Sequence, residues 1–161
     1  MQPLPGRTDK AERLIAAAAP QIYRAFLDPL ALVSWLPPDG MTGQILTFEA
    51  WAGGRYRMVL TYPESDHPRG KTSGDSDVVE GTFVQLVENQ RVVQAIDFVS
   101  DDPEFAGTML MTWSLAPVET GTLVSFVCEN VPAGIRREDH DAGLQSTLAN
   151  LAAYTEGKTG V

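Results

Sequence analysis

Residues 137–156 read REDHDAGLQSTLANLAAYTE, and this stretch decides the fold. Leu144, Leu148 and Leu151 recur at spacings of four and three, which puts all three on one face of a helix. Glu138, Asp139 and Asp141 fall in its first turns, where carboxylates suit the positive end of a helix dipole. This helix closes a chain that reads as β almost without interruption from about Gly43. A run of strands followed by one long helix with an apolar face describes a sheet that receives its apolar partner last. The order predicts an α+β domain in which a curved sheet wraps a C-terminal helix.

Outward from that helix, period-two alternation marks the strands. Tyr56, Met58 and Leu60 alternate with Arg55, Arg57 and Val59, and Met109, Met111, Trp113 and Leu115 with Thr108, Leu110, Thr112 and Ser114. Such alternation fits one buried and one wet face. Segments 78–87 and 91–99 form a hairpin around Glu88-Asn89-Gln90, and 122–130 returns through Gly121. Gly53-Gly54 reads as a tight turn feeding a strand; it lacks the spacing of a phosphate loop. Residues 63–77, rich in Ser, Asp, Pro and Gly, read as a mobile hairpin loop. Upstream, residues 12–18 suit an edge strand, residues 20–27 a short helix, and Asp28-Pro29 a break before a second one ending at Trp35. Residues 1–11 read as a flexible tail and 12–161 as a single domain.

Composition bounds the function. A net charge of −9 argues against phosphate-backbone binding, so no nucleic-acid partner is expected, and it disfavours docking on an anionic membrane. No apolar run is long enough to span a bilayer, and the apolar stretch at 14–19 is too short for a secretory signal. The lone Cys128 cannot form an internal disulfide, and a cytoplasmic location is expected. His67, His140 and Cys128 give no ligand spacing, so no metal and no cofactor are expected.

Several local motifs then meet in order. Residues 20–29, with Trp35 after them, look like an opening helix pair with its tryptophan. Gly53-Gly54-Arg55-Tyr56-Arg57 resembles a Gly-Gly strand start, and Gly81 through Val93 a strand, acidic turn and strand. Gly121-Thr122, residues 140–144 and residues 148–154 resemble a terminal signature. On these the chain resembles the activator-of-Hsp90-ATPase homologue 1-like branch of the START-related (SRPBCC) superfamily. The match covers about Glu12 to Glu156. It departs at Leu36, where many relatives carry a second tryptophan, and at Gly143-Leu144-Gln145, where the last helix usually has Gly-Trp.

The resemblance implies the helix-grip (START-like, Bet v 1-like) fold. A curved antiparallel sheet of six or seven strands grips the C-terminal helix, two short N-terminal helices close one end, and an apolar cavity lies between. It also implies a small hydrophobic molecule as partner. Dimers are frequent among relatives, so a homodimer is among the assemblies it allows. The expected lining is Trp35, Tyr56, Met58, Ile96, Phe98, Met109, Met111, Trp113, Phe126, His140, Leu144, Thr147 and Leu148. The same residues would serve as plain core, and the sequence leaves open whether they fill the interior or surround a pocket. Methionine is flexible and polarisable, which suits a wall that adapts to varied apolar guests.

No catalytic constellation is visible. Asp101-Asp102 reads as a turn, Cys128 as packing, and His67 as a loop residue. His140, four residues before Leu144 on the same helix face, is the candidate to orient a ligand or act as general base, and Thr147 is a second polar contact expected to fix a ligand's orientation. The leading expectation is therefore a protein that binds a small hydrophobic ligand. The alternatives are a cyclase- or dehydratase-like enzyme in the same cavity, or a protein-interaction module of co-chaperone type.

Overall fold

The structure is a computed structural model and describes residues 6–37, 40–62 and 76–156. Seven strands form one sheet: β1 (Arg7–Ile15), β2 (Thr42–Phe48), β3 (Arg55–Thr61), β4 (Ser76–Val87), β5 (Arg91–Phe98), β6 (Met109–Val118) and β7 (Gly121–Val131). All pairings are antiparallel in the order β1-β7-β6-β5-β4-β3-β2, so β1 and β2 are the edges. The helices are α1 (Ala19–Leu27), α2 (Pro29–Trp35) and α3 (Arg137–Thr155). Irregular register between Ile45 and Thr47, and again between Phe83 and Gln85, bends the strands as bulges do. The sheet is curved, with α3 on its concave side: the expected helix-grip architecture.

Alternation in sequence becomes alternation in burial. Met109, Met111, Trp113 and Leu115 of β6 are buried, as are Thr122, Val124, Phe126 and Cys128 of β7, while the residues between them stay partly exposed. From α3, Leu144, Thr147, Leu148, Leu151, Ala152 and Thr155 meet this face. Gly53 takes φ +88° in the turn before β3, a conformation that costs glycine nothing.

The helix runs alongside the edge strand β1 and is tied to it at both ends. His140 Nδ1 lies 2.7 Å from Asp9 Oδ2, and the Ala16 amide donates to Glu156 Oε2 at 2.8 Å. Seven residues of strand and sixteen of helix separate these ties. At about 3.3 and 1.5 Å per residue both spans are close to 24 Å, so the two elements are matched in length. Near mid-helix, Thr147 Oγ1 donates to the Leu36 carbonyl and Asn150 Nδ2 to the Pro37 carbonyl, fixing α3 to the end of α2.

The structure corrects two expectations. Strand β1 begins at Arg7, so residues 7–11, read as tail, are paired along β7 from Arg7↔Val131 to Ala11↔Phe126. They are held because Asp9 points inward to charged partners, which sequence polarity disguises. Likewise Ser76 and Asp77, read as the end of a loop, open β4, with Asp77 buried and accepting from the Tyr62 hydroxyl at 2.9 Å. The rest of that loop, 63–75, with His67, lies outside the described residues, as do residues 1–5.

Candidate functional site

Strand register arranges the inward side chains in rows across the concave face. One row reads Ile45, Met58, Val79, Phe98, and the next Phe48, Tyr56, Gly81, Ile96, Met109. A third reads Phe83, Gln94, Met111, Cys128, Asp9, and a fourth Val92, Trp113, Phe126, Ala11. The strand residues expected to line a cavity thus occupy four successive rows. Trp35, Leu144, Thr147 and Leu148 are buried with them from the helices. Phe98 and His140 are the two of the set that remain partly exposed.

These side chains pack on one another. Trp113 stacks on Phe126 with ring centroids 3.5 Å apart, and Phe26, Trp35 and Trp113 meet edge to face at 4.9 to 5.6 Å. A second aromatic group joins Phe48, Tyr56 and Phe83. Two open grooves lie elsewhere. One of about 510 Å³ is bounded by residues 16–20 and the β6–β7 turn, and one of about 440 Å³ lies between α1, α2 and the end of α3.

Most polar groups inside are matched. Trp35 Nε1 donates to the Ala25 carbonyl at 3.0 Å, and Trp113 Nε1 to Gln94 Oε1 at 3.0 Å. The Thr147 hydroxyl, expected to orient a ligand, is engaged with Leu36. Among the described residues, Tyr56 Oη is the one buried side-chain polar atom with no protein partner. Burial pushes the Tyr56 phenol up, so it stays neutral.

His140 is engaged in a charged cluster that the sequence did not announce. Asp9, with no exposed side-chain surface, accepts from Arg7 Nε at 2.9 Å and from His140 Nδ1 at 2.7 Å. Arg137 stands 3.7 Å away, and Arg7 also donates to the Ile135 carbonyl at 2.7 Å. Burial works to raise the Asp9 carboxyl, but the hydrogen bonds from Arg7 and His140 and their charges outweigh it and hold it below its ordinary value. An ionised carboxylate can only accept, so His140 Nδ1 is the donor. The cluster joins β1 to the first turn of α3. The only sequence signal for it is the period-two placement of Asp9, Ala11 and Ile15.

Cys128 pairs in register with Asp9 and is fully buried. Burial and the Asp9 charge push its thiol up, the reverse of what a nucleophilic cysteine needs. Among the described residues no three His, Cys, Asp or Glu side chains converge as metal ligands, and no helix is long and apolar enough to cross a membrane.

This architecture belongs to a known class, the helix-grip proteins, whose members commonly bind hydrophobic ligands. The family model described as Activator of Hsp90 ATPase homolog 1-like protein matches residues 16–156, and the chain belongs to that family. It is similar to protein CV1439 from Chromobacterium violaceum, with 35% identity and TM-score 0.82 over 94% of this chain and 98% of that one. A Rhodobacter sphaeroides protein shares the fold at 22% identity and TM-score 0.74, covering 98% of this chain and 99% of its own. DynU16, described as encoded in the dynemicin biosynthetic locus, shares it at 17% identity and TM-score 0.65, over 95% of this chain and 48% of that one. No functionally curated protein matches the sequence.

Proposed function

We propose that this protein binds a small apolar molecule between the concave face of the sheet and α3. The observation that supports this is the set of four rows of aromatic and methionine side chains turned toward the helix, in a family whose fold commonly shelters such ligands. Met58, Met109 and Met111 sit in three of these rows. Each has three rotatable bonds, so these side chains can swing aside to admit a guest at low cost. Burial is the driving force, at about 0.8 kcal/mol per CH₂ removed from water.

Both polar residues first expected to steer a ligand, His140 and Thr147, already serve the fold. Binding rather than turnover is therefore the reading the interior supports. Native mass spectrometry of protein from its own host, with a titration of Trp35 and Trp113 fluorescence against apolar compounds, tests it. A retained molecule or a saturable change supports the proposal. A bare protein that responds to no compound defeats it.

A further inference from the structure

Tyr56 stands in the second row, 2% exposed, between Phe48 on β2 and Gly81 on β4, with Ile96 and Met109 continuing the row. Its ring lies across Gly81: a Cβ built there would collide with the phenol carbons and stand 2.6 Å from the hydroxyl oxygen. The glycine is a recess that lets the phenol lie on the concave face. A hydroxyl taken out of water without a partner costs free energy, and folded proteins rarely tolerate one. The other polar side chains of this interior have found partners.

We infer that the Tyr56 hydroxyl is the polar anchor of the interior, and that the molecule bound is neutral, with one carbonyl or hydroxyl oxygen on an apolar body. This rests on the binding proposed above and specifies its ligand class. A phenol can donate to a carbonyl or accept from a hydroxyl. Neutrality follows from the charges nearby. Arg55 and Arg57 alternate to the outer face, where Arg57 pairs with Glu80, and Arg7 is taken up by Asp9. An ionised head group beside Tyr56 would be buried with no opposite charge.

The test uses two matched probes, acetophenone and α-methylstyrene, in which a methylene replaces the carbonyl oxygen. Both are titrated into the full chain and into Tyr56→Phe, with amide NMR shifts as the readout. The variant is expected to bind acetophenone about three- to tenfold more weakly and α-methylstyrene unchanged, the range one net hydrogen bond gives. Equal binding of each probe to both proteins would overturn the anchor, leaving water as the partner of the hydroxyl while the binding proposal stands. Failure of both probes to bind wild type would overturn both. A second measurement needs no variant: the carbonyl stretch of bound acetophenone should fall below its value in alkane solvent. An unshifted stretch would also overturn the anchor.

Discussion

His140 Nδ1 donates to Asp9 Oδ2 across 2.7 Å, joining the first turn of α3 to the edge strand β1 over a separation of 131 residues. With the Ala16–Glu156 bond at the other end, this contact sets where the helix lies along the sheet. It makes Asp9 a structural residue whose charge matters.

Removing that charge should be costly. Asp9→Asn is expected to lower stability by about 3 kcal/mol at neutral pH, because Arg7 and His140 lose the carboxylate they share. Urea unfolding measures it. A loss below about half a kcal/mol would show that the cluster does not hold the fold.

The same group sets a pH dependence. The Asp9 carboxyl is held below its ordinary value in the folded chain, so the unfolded chain takes up its proton first. Its contribution is full above the ordinary carboxylate value of about 3.9 and is lost as pH falls through the depressed value. The gap in unfolding free energy between wild type and Asp9→Asn should therefore narrow on acidification below about pH 4.

His140→Ala separates a structural from a catalytic histidine. Loss of one charge-assisted bond is expected to cost about 1.5–3 kcal/mol in stability. Binding of apolar probes by the folded variant should be unchanged. A variant of full stability that has lost binding or a turnover would reverse the assignment.

Truncating the methionine wall should open space. Met109→Ala is expected to cost about 2–5 kcal/mol and to raise affinity for benzene-sized compounds, because an apolar cavity stays dry and accepts them. Calorimetry with benzene, beside urea melts, reads both. Destabilisation without any gain in binding would count against a ligand space at this row.

Gly81→Ala should crowd the Tyr56 ring and destabilise by about 1–3 kcal/mol. Combined with Tyr56→Leu, the loss should be smaller than the sum, since the two groups share one space. Additive losses would show that the ring does not depend on the glycine.

Much of this was legible in the chain. Alternation through Tyr56 and Met58, and from Met109 to Leu115, placed those residues on the buried face correctly, because a half-buried strand writes its two faces into the sequence. The leucines of α3 did the same at helical spacing. Asp9 was not legible. A carboxylate between Arg7 and Lys10 reads as solvated, and its burial is explained by Arg7 together with a histidine far along the chain. Asp77 misled for a related reason, since aspartate is depleted in strands and its bond to Tyr62 crosses a segment of polar residues. The bare Tyr56 hydroxyl also escaped: the pattern shows which way a side chain faces and not what its last atom meets.

Cys128 has one practical consequence. Its sulfur sits beside Asp9 with no exposed surface and its proton firmly held, so alkylating reagents have no thiolate to attack while the chain stays folded. Labelling of this single thiol is thus a clock for whole-molecule opening. Its rate, compared with and without a candidate compound, would report how tightly that compound holds the protein shut.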